Sequence, residues 1–301
     1  MGFSTRRPAW TAGWMALAVL AAALCGLGSR AFAAPVESRF FTTSDGVRLH
    51  YLEAGPQDGE TMVFVPGWRM PAWIFDRQIE AFSKANPKAF HVVAFDPRGQ
   101  GESDAPAQGY DPERRGKDLA ELIDHLGPKP VLIVAWSLGV LDTLTYVTER
   151  GDSRIAGLVL VDNSVGEEPA PVASGAHRAA PEQPPEIAMH AFVEGLFHTP
   201  QSADYIDRLT AASLHTPEPA AKALKAYPMP REFWRDAIYS TGKPVLYVIR
   251  PRWEGQAANL ERKHRSAEVA VFNHAGHALF VDEPDAFDAK VADFVKRKVW
   301  P

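Results

Sequence analysis

Ser137 stands between Ala135 and Gly139, at the end of the apolar run Val131-Leu-Ile-Val-Ala135, and a helix-compatible segment from Val140 to Tyr146 follows at once. A strand-to-helix turn this tight crowds neighbouring backbone on both sides, so only small side chains fit two residues before and two after the serine. Such a turn lifts Ser137 Oγ to its tip beside the start of a helix. It also aims the main-chain N–H of Leu138 at the place where an oxyanion would form. A serine hydroxyl is a weak nucleophile at neutral pH. It needs a base within hydrogen-bond reach, and the base needs a carboxylate to orient it.

The elements that must position these groups are legible as short apolar runs. Arg39-Phe-Phe-Thr-Thr and Val47-Arg-Leu-His-Tyr-Leu alternate around Ser44-Asp45-Gly46, as a β-hairpin does. Thr61–Val65, His91–Phe95, Val131–Ala135, Gly157–Val161, Pro244–Ile249 and Glu268–Phe272 are continuously apolar rather than alternating, which predicts buried parallel strands. Helical stretches lie between them, near Ala72–Lys84, Pro112–Leu126, Val140–Thr148, Gln256–Arg265 and Pro284–Val299. Strands alternating with helices imply right-handed βαβ units in a doubly wound sheet. Residues 166–240 break that rhythm. A Pro/Ala-rich stretch gives way there to helical patterns near Ile187–Phe197 and Ser202–Ala212. Phe192, Phe197, Tyr205, Trp234 and Tyr239 are too apolar for a disordered insertion, so the segment is expected to be a helical cap or lid between two core strands.

Composition narrows the partners. The 301 residues carry a formal charge of −5, and the first 33 hold three arginines and no acid, so the remainder carries −8. An acidic body argues against nucleic acid. Arg6 and Arg7, the apolar stretch Trp14–Leu27 and the Ala31-Phe32-Ala33 site form the pattern of an export signal cleaved before Ala34. The apolar run is short for a membrane span, so a periplasmic or secreted protein without a stable anchor is expected. Cys25 is the only cysteine. Removal of residues 1–33 then leaves no disulfide, thiol nucleophile or cysteine metal site. The expected body is one core made of 34–165 and 241–301, with the cap inserted.

From about residue 38 to the end the chain resembles the α/β-hydrolase superfamily, in a serine esterase-like form with a lid. Phe64-Val65-Pro66-Gly67-Trp68 is similar to the strand and His-Gly turn that supplies the second oxyanion donor, with Pro66 where the family has His. The donor is main chain, so the resemblance assigns it to Trp68. Phe95-Asp96-Pro97-Arg98-Gly99-Gln100-Gly101-Glu102-Ser103 resembles the family's Asp-x-Arg-Gly-x-Gly-x-Ser loop, which is structural. Asn273-His274-Ala275-Gly276-His277 resembles the loop carrying the base, which implies His277, with His274 as a loop residue bonded to main chain. The family's usual acid position follows the strand Pro244–Ile249. Here Trp253 occupies it and Glu254 comes one residue later. Other relatives place the acid after the preceding strand, where this chain has Asp162. Asp162 is the first choice and Glu254 the alternative.

Relatives that cleave carbon–halogen bonds or epoxides carry Asp at the elbow tip, so Ser137 implies acyl transfer, with a small or medium carboxylic ester as substrate and no metal or organic cofactor. The same triad would serve a perhydrolase or haloperoxidase-like enzyme, a carbon–carbon hydrolase or an aminopeptidase. A non-catalytic small-ligand receptor is the reading furthest from these. Trp136 and Trp73, with Trp68, are candidates for an apolar substrate wall.

Overall fold

In the computed structural model, residues 1–3, 35–85, 89–171 and 183–301 are described, and the compact body runs from Ala34 to Pro301. The expected signal segment and its cleavage site lie outside the described residues, apart from Met1–Phe3. Among the described residues no helix is long and apolar enough to cross a membrane.

Eight strands form one sheet: β1 (Glu37–Thr42), β2 (Arg48–Ala54), β3 (Thr61–Val65), β4 (His91–Asp96), β5 (Val131–Trp136), β6 (Ile155–Val161), β7 (Val245–Ile249) and β8 (Ala267–Val271), in the order 1-2-4-3-5-6-7-8. Only the β1–β2 and β2–β4 pairs are antiparallel. β3, β4, β5 and β7 are buried along their whole length, and β6 at every residue but Ala156, because helices cover both faces. Alternate residues feed two separate cores. Val63, Val65, Ile133, Leu158 and Leu160 face one, and Met62, Phe64, Leu132, Val134 and Val159 face the other. β8 departs from the buried strand expected at Glu268–Phe272. It is half-exposed, since it is an edge strand with no partner beyond it.

The helices are α1 (Asp76–Ser83), α2 (Pro112–His125), α3 (Leu138–Arg150), α4 (Pro185–Glu194), α5 (Ala203–Leu214), α6 (Glu218–Leu224), α7 (Arg231–Ser240), α8 (Glu254–Lys263), α9 (Leu279–Asp282) and α10 (Pro284–Phe294). α4 to α7 make up the insertion after β6. α6 and α7 add to the helices expected from the sequence: α6 has only seven residues, and α7, although its buried Trp234, Ala237 and Ile238 fall at helical spacing, follows Pro228 and Pro230. α1 is preceded by a 3-10 turn (Ala72–Phe75), and α10 runs on into a π turn (Val295–Val299).

Parallel strands in step deliver their C-terminal ends to one edge. Val65 pairs with Ala135, Trp136 with Val161, and Val161 with Val248. The residues that follow β3, β5, β6 and β7 therefore arrive together: Pro66-Gly67-Trp68, Ser137, Asp162 and Arg250.

Candidate active site

α3 starts at Leu138, two residues before the predicted start, because no spacer separates β5 from it. Ser137 takes the whole turn with φ 55° and ψ −120°. Only three non-glycine residues among those described have positive φ: Arg69, Ser137 and Asp162. All three sit at the C-terminal edge of the sheet, where strain is concentrated at one place. The turn leaves no room around it. A Cβ on Gly139 would lie 2.5 Å from the Val65 carbonyl oxygen and 2.8 Å from that of Pro66, and one on Gly67 would lie 2.9 Å from Ser137 Cβ. Main-chain atoms cannot swing aside as a side chain can. Gly139→Ala is accordingly expected to lower the free energy of unfolding by about 3 kcal/mol, read from urea melts.

His277 Nε2 lies 2.8 Å from Ser137 Oγ, and its Nδ1 lies 2.6 Å from Asp162 Oδ2. A ring nitrogen so close to a carboxylate oxygen must carry its proton, so Nδ1–H donates to Asp162 and Nε2 is free to accept from Ser137. The Asp162 side chain is fully buried, and His277 keeps 24% of its side-chain surface exposed. Burial pushes the Asp162 carboxyl up. The His277 hydrogen bond and charge, with the Arg250 guanidinium, outweigh this and hold it below its ordinary value. Asn163 Nδ2 donates to the Ser137 carbonyl at 2.7 Å, tying the β6 end to the elbow. The main-chain N–H groups of Trp68 and Leu138 meet no acceptor among the described residues, while the next one along, Arg69 N–H, is taken by Gln100 Oε1. Two unengaged donors thus flank Ser137.

The other acid candidate does not reach this site. Glu254 is exposed in the first turn of α8, where a carboxylate is favoured by the helix dipole, and it makes no contact with His277. His274, expected to bond main chain, is exposed and unbonded among the described residues. Trp136 is a correction as well. It is 1% exposed, its Nε1 donates to the His277 carbonyl at 2.8 Å, and its ring packs on His277 and Phe280. It braces the histidine loop from the core rather than lining an open pocket. Trp73 meets Tyr205 edge-on at 5.9 Å and carries the Arg208 guanidinium 4.4 Å above its ring, so the insertion occupies it. Trp68 is half-buried, with Phe192 of α4 edge-on at 5.3 Å and Lys225 Nζ 3.3 Å over its ring.

Two supports of the site carry no motif in the sequence. The Asp282 carboxylate accepts the main-chain N–H groups of Gly276 (2.6 Å), His198 and Thr199 (both 2.9 Å), which fastens the histidine loop to the insertion. Arg69 donates to the carbonyls of Ser213 (2.8 Å) and Thr216 (3.1 Å) and pairs with Glu218, while Trp68 Nε1 donates to the Ala221 carbonyl at 2.8 Å. These bonds hold the turn after β3 against α5 and α6.

The same residue types meet once more. Ser38 Oγ is 2.9 Å from His50 Nε2, and His50 Nδ1 is 2.6 Å from Asp96 Oδ2. Ser38 lies mid-strand opposite Leu52, with no tight turn or helix start to offer N–H groups. Asp96 also accepts from Ala72 and Glu102 N–H, so this set cross-links β1, β2 and β4. Among the described residues no cluster of His, Cys, Asp and Glu has the arrangement of a metal site.

Residues 62–290 match the model of the Alpha/beta hydrolase family. A non-heme chloroperoxidase of Streptomyces lividans is 35% identical over 120 residues, 40% of this chain and 42% of that protein, so the match spans less than half of that relative's length. A pimeloyl-(acyl-carrier protein) methyl ester esterase of Vibrio parahaemolyticus is 24% identical over 82% of this chain and 98% of that protein. The crystal structure of an esterase from Rhodococcus sp. ECU1013 has the same fold, with a TM-score of 0.74 at 24% identity over 87% of this chain and 99% of that one. The family model takes in most of the chain, including the turn after β3, the elbow and the histidine loop: the chain belongs to the alpha/beta hydrolase family.

Proposed function

We propose that this protein is an exported serine hydrolase that cleaves small or medium carboxylic esters through an acyl-enzyme on Ser137. The observation that carries this is the unbroken relay from Asp162 to His277 to Ser137, at 2.6 and 2.8 Å, beside two unengaged main-chain N–H groups. Ser137 Oγ attacks the ester carbonyl while its proton passes to His277 Nε2. The oxyanion that forms takes hydrogen bonds from Trp68 and Leu138 N–H, and Asp162 balances the imidazolium. Collapse of the tetrahedral adduct breaks the bond to the alcohol, which leaves with the proton from Nε2. Water then gives a proton to His277, attacks the acyl carbonyl and releases the acid, and Ser137 recovers its proton.

The cycle draws only on protein groups and water, and its one partner is a small ester; nucleic acid has no part in it. The Trp68 ring and Phe192 offer an apolar wall for the acyl or alcohol part, and α4 to α6 act as the lid. The basic start, apolar run and Ala-x-Ala site support export to the periplasm or beyond, with cleavage before Ala34. A fluorophosphonate probe tests the chemistry. It is expected to add once per chain, on Ser137, and to abolish turnover of p-nitrophenyl acetate and butyrate. Labelling elsewhere, or turnover that survives full labelling, overturns the proposal.

The likeness to a chloroperoxidase favours a second reading, in which hydrogen peroxide replaces water at the acyl-enzyme and a peracid is released. Peracid formation from acetate and hydrogen peroxide would distinguish it.

A further inference from the structure

We propose that Arg250 is a positioning residue of this site: its guanidinium shares the Asp162 carboxylate with His277 and sets a permanent cation beside the imidazole, so that its removal favours the protonated ring. The inference rests on the Ser137–His277–Asp162 assignment above.

Arg250 is the first residue after β7, and the β6–β7 register sets it beside Asp162. Its main-chain N–H donates to Asp162 Oδ1 at 3.1 Å and its Nε–H donates to Oδ2 at 2.7 Å. Oδ2 is the oxygen that also accepts from His277 Nδ1–H. Arg250 Nη2 lies 3.5 Å from His277 Nδ1. Both of those nitrogens are donors once Nδ1–H points at the carboxylate, so no hydrogen bond joins them. What remains is a permanent cation against a ring that becomes a cation in every cycle.

The consequence follows from counting charge. With Arg250 present, the resting site holds a balanced Asp162–Arg250 pair, and a proton added to His277 brings it to a net positive charge. Without Arg250, the same proton neutralises a buried carboxylate and is far more welcome. Among the described residues no other acidic side chain is placed to offset this, and Arg252, the exposed cation of the same turn, carries the same sign as Arg250. Asp282, from α9, spends its carboxylate on the N–H groups of Gly276, His198 and Thr199. Tyr247, beneath Asp162 on β7, is kept neutral by burial. Trp136 and Ser137, the remaining neighbours of the ring, carry no charge, and Glu254 is out in solvent. The Arg250 side chain is 25% exposed, which weakens but does not remove the effect.

The test is the pH profile of kcat/KM for p-nitrophenyl butyrate with mature wild type, Arg250→Met and Arg250→Lys. Arg250→Met is expected to move the acid limb up by about one pH unit and to lower the alkaline plateau by less than about tenfold, whereas Arg250→Lys keeps the limb near the wild-type position. Should the Met variant not fold, Arg250→Gln, which still donates but carries no charge, serves in its place. A second readout needs no turnover. In 15N-histidine-labelled Ser137→Ala protein, the His277 resonance, assigned with His277→Gln, is expected to titrate at higher pH when Arg250 is also replaced. An unmoved limb and an unmoved titration overturn the proposal and leave Arg250 a packing residue. If Ser137→Ala instead retains wild-type turnover, the serine-hydrolase assignment fails while the titration still decides the role of Arg250.

Discussion

Ser137→Ala is expected to lower kcat for p-nitrophenyl butyrate by about 10⁵-fold or more while leaving the fold intact. The size of the loss comes from the chemistry. Without Oγ there is no acyl-enzyme, and the oxyanion donors and His277 can at best assist direct attack by water. The fold should survive because the strain of the elbow belongs to the main chain. Alanine meets the same φ of 55°, and the serine hydroxyl makes no capping bond to α3. His277 Nε2 loses its partner, but the ring is a quarter exposed and water can replace it. The free energy of unfolding, read from a urea melt, is expected to change by less than about 1 kcal/mol. Activity above about one per cent of wild type in a folded variant would remove Ser137 from the reaction.

Asp162→Asn and Glu254→Gln form the second test, and their contrast is the informative quantity. Asp162→Asn is expected to lower kcat by about 10³- to 10⁴-fold near neutral pH. Three donors converge on this carboxylate: the Arg250 main-chain N–H, Arg250 Nε–H and His277 Nδ1–H. An amide has one oxygen for them and turns an NH2 group on the rest. Whichever way it flips, a donor is left facing a donor. The charge that balanced the imidazolium is also gone, and Arg250 remains as an uncompensated cation beside the ring. Glu254→Gln touches nothing in the site and is expected to stay within about twofold of wild type. The opposite pattern, with Glu254→Gln inactive and Asp162→Asn active, would return the acid to the loop after β7.

Much of this was legible in the chain because it depends on local geometry. The small residues around Ser137 follow from the tightness of one turn. Continuous apolar runs report strands covered on both faces, as β3 to β7 are. The same rule failed at β8, since a short apolar run reads alike whether or not another strand lies beyond it. Trp136 shows a related limit. A tryptophan next to a nucleophile suits a pocket wall and a core equally by type, and only its bond to the His277 carbonyl and its packing on Phe280 tell them apart.

The identity of the acid marks the boundary most clearly. By itself the sequence determined the strand–helix alternation, and hence a doubly wound sheet with an inserted helical segment, and it singled out Ser137 and the histidine loop as the candidate nucleophile and base. It left Asp162 and Glu254 open, because they follow adjacent strands and both precede His277 in the chain. Tertiary structure brings only Asp162 to His277, through two features that spacing does not encode. The Val161–Val248 register and the positive φ of Asp162 turn that carboxylate inward under His277. A 3-10 turn over Pro251–Trp253 starts α8 at Glu254 and leaves that carboxylate in solvent. The same folding brought Arg250, which no motif singles out, onto the Asp162 carboxylate. The physical reason is range: a turn or a strand is set by neighbours a few residues away, whereas the partner of a buried charge is chosen by whichever chain ends arrive beside it when the sheet closes up.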